Sequence, residues 1–314
     1  MKNKHFLSVT DLSAKEIQAV LDLGLKLKQE LKDKGTNTAS LANKTLVMIF
    51  EKPSLRTRLS FEIGMTQLGG HAIYLAPSDI GLGVREEISD VSKVTASMTN
   101  IIMARVFKHE TVKKLAKYSS VPVINGLSDL EHPCQVLADL LTIIEVKKTL
   151  AGLKIAFIGD GENNVTHSLA LACGMLGMHF AVASPKGYEM SNDISKKAKK
   201  LARQTDVSVM ETNDPQKAVK KADIVYTDTW ISMGDEKEKE ERIKVFSRYQ
   251  VTDKLMKLAK KDAIFMHDLP AYRGNEVTKE VIDGHQSVVF QQAENRLHAQ
   301  KALLVYLLNV WKSE

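Results

Sequence analysis

Short apolar runs alternate along this chain with longer stretches whose apolar positions recur at helical spacing. In the first half the runs Thr45–Phe50, His71–Leu75, Asn100–Ala104 and Val121–Ile124 predict buried strands. In the second half Lys154–Ile158, Phe180–Ala183, Val207–Met210, Ile224–Thr227 and Ile264–Met266 do the same. The stretches between them read as helices. Ser13-Ala14-Lys15-Glu16 is a capping box ahead of the stripe Ile17, Val20, Leu21 and Leu25. Pro133 suits the first position of a long helix through Lys148. A last helix, about Gln291 to Trp311, carries Leu303, Leu304, Leu307 and Leu308 and is apolar enough to pack back on the body. Such alternation predicts an α/β protein with doubly wound parallel sheets covered on both faces. A length of 314 residues exceeds what one core usually serves, so two domains are expected. They are residues 1–132 and 151–290, with 133–150 as a linking helix and 291–314 packing on the first.

The stretch Ser54-Leu55-Arg56-Thr57-Arg58 follows the Thr45–Phe50 strand and opens a helix with Phe61, Met65 and Leu68 on one face. Free N–H groups and the positive end of the helix dipole gather at such a start. Two arginines there add charge of the sign the dipole already disfavours. That combination makes sense if a multiply charged anion binds.

Composition narrows the classes. Hydrophobic content of 44% and charged content of 26% are those of a globular protein, and the net charge of +6 is spread along the chain. Aromatic residues, at 6%, are too few for a base-stacking platform, so small anionic substrates are expected and nucleic acid is not. No apolar run approaches a membrane span, and the N-terminus lacks the apolar core of a signal peptide. Cys134 and Cys173 have no metal-type spacing, which points to a reducing cytoplasm and no metal or cofactor. Lys196 to Lys200 reads as a solvated helical face, and the charged run Asp235–Arg242 as solvated and mobile.

In open parallel sheets, ligands sit beyond the C-terminal strand ends. Four loops there carry chemistry: Arg105; His132 with Gln135; Asp228-Thr229-Trp230-Ile231-Ser232-Met233-Gly234; and His267-Asp268-Leu269-Pro270-Ala271. Each has an ordinary reading alone, as a local ion pair, a helix cap, a turn residue or a satisfied core histidine. At equivalent strand ends they point together to a site.

These motifs, with Ala293-Glu294-Asn295-Arg296, resemble the signatures of the ornithine carbamoyltransferases in order and spacing over nearly the whole chain. The arginine motif and His-Pro-x-Gln are shared across carbamoyltransferases, and Ser-Met-Gly points to ornithine. The resemblance implies transfer of the carbamoyl group of carbamoyl phosphate to the side-chain amine of L-ornithine, without a cofactor or metal, in arginine biosynthesis. It implies a homotrimer or an assembly of trimers. Carbamoyl phosphate would be held by Ser54, Leu55, Arg56, Thr57, Arg105, His132, Gln135, Leu269 and Arg296. Arg105, Thr57 and His132 would polarise the carbamoyl carbonyl and stabilise its developing oxyanion. Asn164, Asp228, Ser232, Met233 and Asp268 would surround ornithine. Arg105, His132 and Asp268 are the expected catalytic groups.

Three positions depart from the family pattern. Leu55 replaces a polar residue. Gly81 stands where the family has a glutamine that reaches the neighbouring subunit's carbamoyl phosphate, with Arg85 nearby as a substitute. Asp268 stands where the family carries a cysteine. A carboxylate there would hold the substrate ammonium or accept its proton, or else signal another amine such as putrescine, lysine or an acylated ornithine. Two further readings stay open: a non-catalytic homologue, and a nicotinamide-dependent oxidoreductase suggested by Gly159-x-Gly161. Asn164 occupies the place of the third glycine that the latter needs.

Overall fold

The computed structural model describes residues 5–83, 85–231 and 238–310. The chain forms two compact units, one running to Leu141 and resuming at Glu294, the other Thr142–Ala293. The first holds strands β1 (Thr45–Phe50), β2 (His71–Leu75), β3 (Ile101–Arg105) and β4 (Val123–Leu127). They pair all-parallel in the order β2-β1-β3-β4. The second holds β5 (Lys154–Ile158), β6 (His179–Ala183), β7 (Val209–Thr212), β8 (Ile224–Tyr226) and β9 (Ile264–Met266), all parallel in the order β7-β6-β5-β8-β9. The doubly wound α/β reading is therefore correct. Strand order reverses between β1 and β3 in one sheet and between β5 and β8 in the other, and a ligand crevice opens at such a switch point.

The apolar runs are buried as the pattern requires, with β3 and β4 buried along their whole length. Around β1 and β3, Val47, Ile49, Ile102 and Ala104 pack with Val91, Val112 and Leu115 from the covering helices. In the second unit Ala156, Ile158, Val225 and Phe265 pack with Val219, Val251 and Ile282. Ser13 caps the helix Ala14–Lys34 through the expected capping box, and Gly35 ends it in the left-handed conformation. Gly161 is required by close approach, because a Cβ there would lie 2.5 Å from the Tyr188 carbonyl oxygen. Among the described residues no helix is long and apolar enough to cross a membrane.

Two strands shift by two or more residues from their expected bounds. The expected strand ends at Ile124, yet β4 runs on through Asn125-Gly126 to Leu127. The chain near the N-terminus holds it there: Phe6 N–H donates to Val123 O, Asn125 N–H donates to Phe6 O, and the Asn125 amide donates to Leu7 O. β7 is displaced toward the C-terminus by its pairing with β6, Phe180 facing Val209 and Ala183 facing Thr212. Ahead of β9 lies a short helix, Asp253–Met256, and β2 is followed by a helical turn, Pro77–Ile80.

The last helix, Val289–Val310, packs on the first unit from Glu294 onward. There Lys301 is fully buried, and its Nζ donates to Asn37 Oδ1 at 2.6 Å and Gln67 Oε1 at 2.9 Å. Burial pulls its pKa down to about 8, against a smaller opposing pull from Glu30. Between that value and the ordinary lysine range, the unfolded chain binds a proton that the folded chain has released, so stability rises with pH there. Thermal unfolding followed from pH 8 to 10 should show the wild type gaining stability relative to Lys301→Met, in which this group cannot titrate. Parallel curves for the two proteins would contradict the assignment.

Candidate active site

In the first unit the site grows from the end of β1. Ser54 caps the helix Leu55–Gln67 from extended backbone, its Oγ accepting from Thr57 N–H. The first-turn N–H groups of Leu55 and Arg56 have no intrahelical acceptor, as at any helix start. The Leu55 side chain is 69% exposed, so what this residue offers the site is backbone. Arg58 turns outward, paired with Glu62 at 2.9 Å and lying over the Tyr74 ring. Of the two arginines in the motif, Arg56 is the one left for an anion.

Arg105 ends β3 opposite Phe50, where the pairing with β4 slips by one residue. Such an irregularity re-aims a side chain. The Arg105 guanidinium reaches Thr57 Oγ1 at 3.4 Å. Arg296, on the last helix, donates through Nη2 to the same hydroxyl at 2.8 Å and through Nη1 to Gln135 Oε1 at 2.7 Å. Gln135 Nε2 donates in turn to Asp139 Oδ1 at 2.9 Å. Thr57, Arg105, His132, Gln135 and Arg296 are all buried. His132, just ahead of Pro133, is held neutral: burial drives its pKa well below the usual imidazole value, and the charges of Arg296, Arg105, Lys52 and Arg56 push the same way. Residues from four separate stretches of the chain thus converge near the sheet's switch point.

In the second unit Asp228 follows β8. Its Oδ2 accepts from Asn163 Nδ2 at 2.7 Å and its Oδ1 from Thr229 N–H. Asn163 caps the helix Asn164–Leu176, so its side chain joins the turns after β5 and β8. Asn164 is that helix's first residue. Asp268 follows β9. Asp228, His267 and Asp268 place side-chain ligand atoms within 4.8 Å of one another. The fully buried His267 is not well placed to hold a metal: its Nδ1 accepts from Leu269 N–H at 2.9 Å, which leaves Nε2 as the donor to Glu276 at 3.2 Å. What remains is a pair of carboxylates at neighbouring strand ends, an environment that suits an ammonium group. Leu269 has a left-handed backbone and precedes a cis-proline. Ser232 and Met233 lie outside the described residues.

One expectation is corrected. Of the charged run Asp235–Arg242, the residues from Lys239 belong to the helix Lys239–Phe246, and Arg242 is buried rather than solvated. Its Nε donates to Trp230 O, its Nη2 pairs with Asp160, and its guanidinium lies over the Tyr188 and Phe246 rings. Burial still pushes the Asp160 carboxyl up to about 6, the arginine offsetting only part of that cost. Arg242 thereby ties together the two turns that carry Asn163 and Asp228. Nothing in a run of alternating charges distinguishes this arginine from its solvated neighbours. Asp139 was legible in principle, as a lone carboxylate one helical turn after Gln135 in an apolar stretch.

Comparison with known proteins matches two family models along the chain. Residues 4–145 match the carbamoyl-P binding domain of the aspartate/ornithine carbamoyltransferases, and residues 151–307 match their Asp/Orn binding domain. The ornithine carbamoyltransferase of Anoxybacillus flavithermus is 54% identical over 98% of both chains. That of Caldicellulosiruptor saccharolyticus is 52% identical over 97% of this chain and 98% of its own. Among solved structures, ornithine carbamoyltransferase from Pyrococcus furiosus superposes with a TM-score of 0.94 at 50% identity, covering 98% of this chain and 97% of that one. The anabolic enzyme from Campylobacter jejuni gives a TM-score of 0.92 at 44% identity, covering 98% and 99%. With both domain types matched in order along the sequence, the chain belongs to the aspartate/ornithine carbamoyltransferase family.

Proposed function

We propose that this protein transfers the carbamoyl group of carbamoyl phosphate to the side-chain amine of L-ornithine, yielding L-citrulline and phosphate. The observation that carries this reading is the convergence of Thr57, Arg105, Gln135 and Arg296 in the unit that matches a carbamoyl-phosphate-binding domain. Residues 1–132, with the linking helix and the last helix, bind carbamoyl phosphate; residues 151–290 bind ornithine. The first-turn N–H groups at Leu55 and Arg56, the Ser54 hydroxyl and the guanidiniums of Arg56 and Arg105 take the phosphate. Thr57, Arg105 and the neutral His132 donate to the carbamoyl oxygen, with Arg296 beside them; Gln135 and the Leu269 backbone take the carbamoyl amide. Asn164, Asp228, Ser232, Met233 and Asp268 hold the amino acid.

The amine lone pair attacks the carbamoyl carbon, charge develops on the carbonyl oxygen, and the bond to the phosphate oxygen breaks as the amine proton leaves. Removing one oxyanion donor should raise the barrier by roughly 2.7–4 kcal/mol. The nucleophile must be neutral, which costs an alkylamine of pKa near 10.4 about 4.6 kcal/mol at pH 7. Asp268 accepts that proton in this reading, doing the work of the family's cysteine. We place the reaction in the cytoplasm, in arginine biosynthesis, and assign a homotrimer or an assembly of trimers. The exposed stripe Leu55, Leu59 and Ile63 beside an open cleft of about 570 Å³ supports self-association through the helix Leu55–Gln67.

Two outcomes test the roles. Asp268→Asn should raise the KM for ornithine by about tenfold or more, since a hydrogen bond to a charged group is worth about 1.5–3 kcal/mol. Binding of carbamoyl phosphate should be unaffected, and steady-state kinetics with each substrate varied separates the two; an unchanged ornithine KM and kcat would remove Asp268 from the mechanism. Because His132 is neutral in the fold, carbamoyl phosphate affinity should stay flat as pH falls through about 6.5, the ordinary imidazole value. An inflection there that vanishes in His132→Gln would contradict this. The same depression means that folding stability declines as pH drops below that value, where the unfolded chain takes up a proton that the fold refuses.

A further inference from the structure

Asp139 lies in the helix Pro133–Lys147, fully buried among Val136, Leu137, Ala138, Leu140 and Leu141 of the same apolar stretch. A carboxylate in such a place is costly unless it accepts strong hydrogen bonds. One of them is the 2.9 Å bond from Gln135 Nε2, across a single helical turn. On its other side the Gln135 amide accepts at Oε1 from Arg296. A carboxylate only accepts and a guanidinium only donates, so the two partners dictate which end of the amide points which way. Oxygen and nitrogen are otherwise nearly interchangeable in shape, and an unconstrained amide could present either.

The consequence concerns selectivity. Arg56, Arg105 and Arg296 offer only donors, and the phosphate and carbonyl oxygens of any acyl phosphate satisfy donors. A carbamoyl group differs from an acetyl group by an NH2 in place of a methyl, and recognising it takes an acceptor. Gln135 Oε1 has a second lone pair beyond the one used by Arg296. We propose that Asp139 is a positioning residue that locks Gln135 as an acceptor toward the ligand and so makes the pocket choose carbamoyl over acetyl phosphate. This rests on the reading of the first unit as a carbamoyl phosphate site.

A stable pair of phosphonates isolates the effect: phosphonoacetamide carries the NH2, and acetonylphosphonate has a methyl in its place. Calorimetric affinities for both, measured on the whole protein, give a selectivity ratio that general weakening of the fold does not change. The wild type should prefer the amide, and Asp139→Leu should lower the ratio by about five- to tenfold, the worth of one hydrogen bond. Gln135→Leu should lower it equally, and Asp139→Leu added to Gln135→Leu should lower it no further. Asp139→Asn keeps a neutral acceptor and should fall in between, which decides the question if the leucine variant does not fold. A wild-type ratio in Asp139→Asn together with equal losses for both ligands in Asp139→Leu would overturn the positioning role, as would an unchanged ratio in Asp139→Asn should the leucine variant fail to fold. Absence of binding of either phosphonate to the wild type would instead refute the carbamoyl phosphate reading itself.

Discussion

Two buried guanidiniums converge on one hydroxyl: Arg105 and Arg296 both reach Thr57. Like charges taken out of water repel and lose solvation, so such an arrangement persists only if anions compensate it. Among the described residues of the first unit, the buried carboxylate of Asp139 is connected to this pair through Gln135. The helix start at Ser54 adds further positive potential rather than relieving it. A doubly charged acyl phosphate bound there would add negative charge of the sign this arrangement favours. His132 follows from the same constraint, because a third cation there would worsen the repulsion, and burial with its neighbours keeps it neutral.

The second unit shows the opposite sign built on the same topology. Asp228 and Asp268 follow adjacent parallel strands, and parallel strands bring their C-terminal ends together whatever the sequence between them. Asn163 and Arg242 fix the turns around Asp228 by satisfying its carboxylate and the Trp230 carbonyl. A cationic pocket in one unit and an acidic one in the other match an anionic donor and an amine acceptor. Under the proposed function the departure at Asp268 keeps that logic: a carboxylate beside Asp228 would strengthen the attraction for an ammonium and supply a proton acceptor, the two requirements the nucleophile imposes.

Much of this was written in local sequence. Apolar runs set the strands, since a strand buried on both faces needs an unbroken apolar run, and the helical stripes set the covering layers. The arginine motif, His-Pro-x-Gln and the strand-end loops marked a candidate site because polar residues at the ends of buried strands have few structural uses. Local pattern failed where a distant segment overruled it. Asn125-Gly126 stays in β4 because Phe6 pairs with that edge, and β7 slides to the register that β6 imposes. Arg242 looked like one more solvated charge until Asp160 and Trp230 came to meet it.

The sequence by itself determined the strand–helix alternation, the arginine-bearing helix start and the identity of the groups available for chemistry, because these depend on residue type and spacing along the chain. Only the tertiary structure decided that Arg58 points away while Arg296 points in, that His132 is neutral, and that Asp139 sets the direction of the Gln135 amide. Each of those outcomes depends on burial and on partners brought close by folding, and neither can be read from neighbours in sequence.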